Sequence, residues 1–420
     1  MCEINPNIFK AYDIRGKYPD EINEETAELF GKAFVEFLRK KRPKIVVGRD
    51  NRASSLPLFK ALTKGIIDQG GDVIDIGLST SPMLYFAAGY YGFDGGVEIT
   101  ASHNPAEYNG FKVVREKAIP ISRDSGLKQI KKFIFKNKFY PKKRGKLVKK
   151  KIISDYIKFV SSDFDFQKIK PFKIVVVLPR TSPSAAVHKI LAKLPGKVYY
   201  SKHSNQDLGI AFDGDGDRIV FIDEKGKLIS GDLITALVAK IILRKNPGKK
   251  ILYDVRSSNV VKETIKENKG IAIIERVGHS FIKEKMRKQD IFFAGEQSGH
   301  YYLKSHYFCE SPFFVLFKVL EEMSNKKNRL SELIKPFKKY YFSGEVNFKV
   351  RDKKKVLNKI EKKYKAGKIS KIDGLRIDFK NWWFNVRPSN TEPVLRLVIE
   401  AETKTLLNKK KKEITKVIKL

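Results

Sequence analysis

Between Asn23 and Lys41 the apolar residues Ala27, Phe30, Phe34, Phe37 and Leu38 recur at steps of three and four, the spacing of a helix with one buried face. Ile45-Val46-Val47 follows as a short apolar run of strand type. The alternation continues, with a helix expected over Leu56 to Gln69, a strand over Val73 to Ile76, a helix over Met83 to Tyr90 and a strand over Gly96 to Thr100. A βα succession of this kind implies a parallel or mixed sheet with helices on both faces. The basic stretch Lys136 to Lys151 reads as a linker. Ile174 to Leu178 belongs to a second unit and Ile251 to Asp254 opens a third; after Lys338 the pattern changes to short strands with one helix at each end. The expected fold class is α/β: three related α/β domains with mixed sheets (1–148, 149–248 and 249–338), then a smaller α+β C-terminal domain (339–420).

Composition narrows the picture. A chain of 420 residues exceeds what one hydrophobic core usually serves, and 42% hydrophobic content excludes wholesale disorder. No apolar run approaches the roughly 18 residues of a membrane span, and Met1 to Pro6 lacks a basic-then-apolar signal, so a cytoplasmic protein without a membrane partner is expected. Cys2 and Cys309 make neither a disulfide framework nor zinc-type spacing. The formal charge of +38 gives a field that can steer anions, including nucleic acid. No RNA-recognition, zinc-finger or helix-turn-helix signature accompanies it, so lysine on solvated faces is favoured over a specific nucleic-acid partner.

Two segments carry candidate chemistry. Asp213-Gly214-Asp215-Gly216-Asp217-Arg218 places three carboxylates at alternate positions between apolar runs, so that in extended chain they share one side. Like charges held that close call for a cation, and a hard divalent ion suits oxygen ligands. Asp-Gly pairs are also ordinary turn residues. A calcium loop ending at Glu224 competes, but Arg218 stands where that loop needs glycine. The second segment, Thr100-Ala101-Ser102-His103-Asn104-Pro105, follows an apolar strand and leads to Asn109-Gly110, which puts Ser102 on a loop at a strand's end. Its hydroxyl can be an acyl nucleophile, a phosphate carrier or a turn residue, and the absence of a G-x-S-x-G elbow weakens the first.

With Ala11 to Gly16, Val47 to Asp50, Arg52 to Ser55, Gly295 to His300 and Arg387 to Pro393, these segments form an ordered set that resembles the α-D-phosphohexomutases, in particular the phosphomannomutase/phosphoglucomutase branch. The resemblance implies four domains around a central cleft and an isomerase that moves a phosphoryl group between O1 and O6 of a hexose. Ser102 would be the phosphorylated carrier, and Asp213, Asp215 and Asp217 with Ser102 would hold one Mg2+. Hexose 1,6-bisphosphate would be the intermediate and activator. Arg15, Lys112 and Arg218 would support the reacting phosphoryl group, and His300, in preference to His103, would handle the hydroxyl proton. Tyr12, His103, Gly278, His279, Glu296, Ser298, Arg387, Ser389, Asn390 and Thr391 would bind the sugar phosphate.

The chain also departs from that pattern. Leu178 to Pro183 replaces a glycine-rich turn, Gly196 to Gln206 is short, Ser305 to Pro312 lacks an Asp-rich turn, and Arg256 stands where a lysine is common. The second domain therefore reads as trimmed. Mannose and glucose phosphates are the expected substrates of a monomer or dimer. Gln297 keeps a glucosamine phosphate as the alternative, and an inactive scaffold that binds nucleic acid is a further one.

Overall fold

The computed structural model describes residues 4–140, 142–200, 205–389 and 394–419. The chain divides into two compact units, one of residues 1–228 with 300–330 and one of 229–299 with 331–420.

In the first unit, Asn23 caps the helix Glu24–Leu38 by accepting from Thr26 N at 3.0 Å, and Ala27, Phe30 and Phe34 turn its buried face inward. This helix and Ser55–Asp68 pack beside a sheet with the order Ile14–Lys17, Tyr108–Arg115, Gly95–Ile99, Lys44–Arg49, Asp72–Leu78, Leu147–Lys149. Parallel pairing joins Gly95–Ile99, Lys44–Arg49, Asp72–Leu78 and Leu147–Lys149, and the first two strands are antiparallel. All five residues of Gly95–Ile99 are buried, as a central strand covered on both faces requires. Ser102 leaves its C-terminal end, the usual place for ligand chemistry in such sheets.

The expected linker is a correction. Lys136 to Lys151 contains the edge strand Leu147–Lys149, pinned by Val73 N to Lys146 O at 2.8 Å and Lys150 N to Asp75 O at 2.9 Å. Its apolar residues stay 41% exposed, so no burial pattern marks it in the sequence.

A second sheet in this unit has the order Ile219–Ile222, Leu208–Phe212, Phe172–Val177, Gly196–Tyr199. Its hairpin Leu208–Phe212/Ile219–Ile222 is antiparallel and carries the acidic segment as its turn.

In the second unit, Lys250–Asp254 pairs in parallel with Ile271–Glu275 and with Phe293–Gly295. The C-terminal sheet is antiparallel, in the order Tyr341–Phe342, Val394–Ala401, Trp382–Pro388, Leu375–Asp378, Lys368–Ser370, with Val346–Lys349 also against Val394–Ala401. Helices Lys353–Lys363 and Lys404–Lys419 cover one face through Ile360, Leu407, Ile414 and Val417. Two strands precede the first of these helices, where the sequence pattern suggested a helix at the start.

Candidate functional site

Three loops of the first unit meet around Ser102. Its φ of 53° is left-handed, a conformation that a non-glycine residue keeps only when its surroundings hold it there. The holder is Arg52, whose guanidinium donates to the carbonyls of Ser102 (2.8 Å), Asn104 (2.8 Å), Pro105 (2.5 Å) and Tyr108 (3.0 Å). Asp50 fixes Arg52 at 2.9 Å and is itself fixed by Ser55 and Thr100 at 2.6 and 2.7 Å. Sequence reading assigned Arg52 no role, although it lies in a matched segment.

The acidic turn closes on this loop. Its three carboxylates converge because Asp213 to Asp217 turns, with Gly216 at φ 64°, and not because the chain is extended. A Cβ on Gly214 would stand 2.3 Å from Ser102 O, so the approach requires glycine. Ser102 Oγ donates to Asp213 Oδ2 at 3.0 Å. Ser81, the first residue of helix Ser81–Tyr90, grips Asp215 through a backbone bond of 2.9 Å and a short side-chain hydrogen bond. The departing segment Leu178 to Pro183 is part of this wall, since Asn51 N donates to Thr181 O at 2.8 Å.

One oxygen each from Asp213, Asp215 and Asp217 lies within 4.8 Å of the others, a spacing that can hold a metal ion. Asp215 Oδ1 is buried and has no hydrogen-bond partner among the described residues, an acceptor in want of a cation. Lys112, buried on Tyr108–Arg115, puts Nζ 2.5 Å from both Asp215 Oδ2 and Asp217 Oδ2. Burial opposes its charge, but Asp215 and Asp217 outweigh that and hold the ammonium protonated. Burial and the neighbouring Asp217 and Asp215 push Asp213 up to about 7. Burial also works against Asp217, yet Lys112 and His300 keep it well below the usual range.

Arg218 follows the turn. Its Nε lies 3.2 Å from His300 Nε2, and its Nη2 3.1 Å from His103 Nδ1. His300 Nε2 also stands 3.3 Å from Asp217 Oδ1, and Ser102 Oγ 3.3 Å from His103 Nδ1. Burial, Arg218 and Arg15 together lower His103 to about 3, which leaves it neutral. Arg15 donates to Asn104 Oδ1 at 2.7 Å and pairs with Asp13 at 2.5 Å, and half-buried Tyr12 lies close enough to act on its charge. Ser102, Asp213, Asp215, Asp217, Lys112, Arg218, His103, His300, Arg15 and Tyr12 thus gather in one unit.

The second unit gathers the remaining candidates. Gly278, at φ 132°, donates through its amide to Glu296 Oε1 at 3.3 Å, and His279 begins the helix His279–Gln289. Ser298 is half-buried and caps no helix, because Tyr301–Leu303 follows as a strand. Arg256 is fixed on Asp254 at 2.9 Å, and Asp254 also accepts from Gln297 N at 2.8 Å. Arg387 pairs with Glu345 at 3.1 Å, and Ser389 N donates to Val394 O at 2.9 Å. Burial and the charges of Arg256 and Arg396 act to lower the Arg387 pKa, the mark of a cationic cluster suited to an anion. Asn390 and Thr391 lie outside the described residues.

Known proteins are similar to this chain in sequence and in fold. Residues 6–141 match the phosphoglucomutase/phosphomannomutase alpha/beta/alpha domain I, residues 230–340 match domain III and residues 345–417 the C-terminal domain of the same family. A phosphomannomutase of Vibrio cholerae is 36% identical over 98% of each chain. Another, of Methanocaldococcus jannaschii, is 38% identical over 98% of this chain and 97% of its own. A solved phosphoglucomutase/phosphomannomutase family protein from Burkholderia thailandensis superposes with a TM-score of 0.89 at 27% identity, covering 99% of this chain and 98% of that one.

Proposed function

The chain belongs to the phosphoglucomutase/phosphomannomutase family, and from that premise we propose that it interconverts hexose 1-phosphate and hexose 6-phosphate by way of a phosphoryl group carried on Ser102. The observation that carries this reading is the placement of Ser102 Oγ 3.0 Å from Asp213 Oδ2, with Lys112, Arg15 and Arg218 around it. A serine so placed has cations to neutralise a phosphoryl group and a carboxylate set to hold a divalent ion.

Asp213, Asp215 and Asp217 with an oxygen on Ser102 suit one Mg2+, since the set is all oxygen and includes the orphaned Asp215 Oδ1. When bound, Mg2+ supplies positive charge that offsets the transferring phosphoryl oxygens. In the first half-reaction the bond from Oγ to phosphorus breaks as one from a sugar oxygen forms, and the sugar hydroxyl proton leaves to a base. Ser102 Oγ, left with the electron pair, takes up one proton to end as the hydroxyl that donates to Asp213. His300 is our choice for that base, because its Nε2 stands 3.3 Å from the Asp217 carboxylate, which favours its taking up a proton, whereas His103 is buried with Arg218 and Arg15 opposing protonation. The hexose 1,6-bisphosphate so formed returns its other phosphate to Ser102 after turning over.

Glu296 and Ser298 are the proposed readers of sugar hydroxyls, with Gly278 and His279 beside them. Arg387 and Ser389, with Asn390 and Thr391 from the adjoining segment, are the proposed grip on the phosphate that does not react. Mannose and glucose phosphates are the favoured substrates, which fits a cytoplasmic protein because such anions do not cross bilayers unaided. The test is intact mass for one phosphate on Ser102, with turnover of mannose, glucose and glucosamine 1-phosphates measured in parallel. Exclusive turnover of the amino sugar would overturn the substrate choice. Full activity in Ser102→Ala would overturn the carrier.

A further inference from the structure

The C-terminal sheet has two buried faces of opposite character. Even-numbered Trp382, Phe384 and Val386 and odd-numbered Leu395, Leu397 and Ile399 pack under the helices. On the other face of the same strands Trp383, Asn385, Arg387 and Glu400 are polar or amphipathic and also buried, alongside the apolar Val394 and Val398. Buried polar groups need partners. Asn385 and Arg387 find theirs within this domain, on Asp373 O at 2.8 Å and Glu345 at 3.1 Å, whereas Glu400 is served from a loop of the preceding domain.

Glu400, 2% exposed, accepts from Asn259 N at 2.9 Å and from Trp383 Nε1 at 2.7 Å. Arg376 reaches the same loop, donating to Val255 O at 2.6 Å and to Asn259 Oδ1 at 3.1 Å, while its guanidinium lies 3.7 Å over the Trp383 ring. A third contact joins Val277 N to Asp373 Oδ2 at 3.1 Å. All three land at the C-terminal ends of Lys250–Asp254 and Ile271–Glu275, on the loops that carry Arg256 and Gly278. Arg387 stands on the strand of Trp383, two rungs further along the same face.

We infer that Glu400 and Arg376 are positioning residues, which lock the strand bearing Arg387 onto the Val255–Asn259 loop so that the phosphate grip and the sugar-reading loop meet substrate in fixed register. Neither residue needs to touch the substrate. The inference rests on the mutase reading for its kinetic consequence, whereas the lock itself is a structural claim.

The seam has a sign with pH. Burial, against hydrogen bonds from Ser258, Asn259 and Trp383, pushes Glu400 up to about 7, and Asp232 of the helix Gly231–Lys245 adds to the rise. The other titratable groups are Tyr340, a neutral phenol held by Glu263 and acted on by Glu400 and Glu402, and Arg376, which lies over Trp383 and pairs with Asp378 at 2.8 Å. A carboxyl held neutral when the seam is shut, and free to ionise near the ordinary value of 4.5 when it opens, stabilises closure fully only below that value. Its contribution falls as pH rises towards about 7 and is gone above it.

The experiment is steady-state kinetics of the Mg2+-loaded enzyme on mannose 1-phosphate from pH 5.5 to 8.5, with Glu400→Ala, Glu400→Gln, Arg376→Ala and Arg376→Lys. Both alanine variants are expected to raise KM roughly tenfold with little change in kcat, as lost registration of binding groups does. Glu400→Gln, neutral at every pH, should restore KM, and the wild-type to Gln ratio of KM should climb from pH 5.5 to about 7 and then level. A wild-type KM in Glu400→Ala, or a ratio flat across the range, overturns the inference. Hydrogen exchange read at residues 255–259 and 277 separates it from the mutase reading. Faster exchange there in Glu400→Ala supports the lock even if no hexose phosphate turns over, and unchanged exchange sinks it even if one does.

Discussion

Ser102 Oγ donates a 3.0 Å hydrogen bond to Asp213 Oδ2 across 111 positions of sequence, which ties the carrier loop to the acidic turn. Each loop then depends on the other for different things. Ser102→Ala is expected to cut turnover by roughly 10⁴-fold or more, because the group that holds the phosphoryl is gone. Calorimetric Mg2+ affinity should change far less, since the three carboxylates remain. Asp215→Asn should do the reverse on binding, weakening Mg2+ by roughly 10- to 100-fold. Chelator should abolish wild-type turnover and excess Mg2+ restore it.

Arg52 is the second prediction. It is buried, paired with Asp50 and bonded to four loop carbonyls, so its removal strands both a carboxylate and a set of acceptors. Arg52→Ala should lower stability by about 3–5 kcal/mol in urea melts. Arg52→Lys should recover less than half of that, because one ammonium cannot span the fork-shaped set that a guanidinium reaches.

Glycine at 214 is the third. A methyl there meets Ser102 O at 2.3 Å and Thr181 Oγ1 at 2.9 Å. Gly214→Ala should therefore cost about 1–3 kcal/mol and push the serine away from Asp213, with turnover falling more than stability. Gly226→Ala is the control: its Cβ meets nothing within 4 Å, so only the φ of 73° is penalised, at roughly 1 kcal/mol and with no loss of turnover.

The helices and central strands were legible because burial writes a period into the sequence. Ala27, Phe30 and Phe34 mark one helix face, and the unbroken apolar run Ile45-Val46-Val47 marks a strand covered on both sides. Leu147–Lys149 left no such mark, since its side chains face solvent and only its backbone is held. At the site, the residue types of Ser102 and the three aspartates announced charge chemistry, yet the geometry that unites them did not. Arg52 acts through backbone carbonyls, which have no sequence signature, and Gly214 acts by lacking a side chain. The burial of Glu400 left no mark in the sequence, because the backbone amide it accepts from belongs to Asn259, 141 positions away. Glu98 was the missed signal of another kind, a carboxylate inside an otherwise apolar strand.

That glutamate gives the last prediction. Glu98 is 0% exposed on Gly95–Ile99, and both of its oxygens lie near one donor, Ser79 Oγ, at 3.0 and 3.1 Å. Gly48 makes the room, as a Cβ there would stand 2.5 Å from Glu98 Oε2 and 2.0 Å from Ser79 Oγ. Burial pushes the carboxyl well above its ordinary 4.5, and the nearby charges of Asp50 and Asp215 add to the rise. A raised carboxyl takes up a proton on folding, so its contribution is complete below 4.5 and is lost as pH climbs through the folded-state value. Glutamine keeps the shape and stays neutral, which removes that dependence. Glu98→Gln should therefore match wild type in thermal melts at pH 4.5 and gain on it steadily towards pH 8, by roughly 1–3 kcal/mol at the upper end. A Gln variant that tracks wild type at every pH would mean that Glu98 is ionised in the folded protein, with a cation drawn to it. Since its register partner across the strands is Lys112, the same variant should leave Lys112 on Asp215 and Asp217, and Mg2+ affinity should not shift.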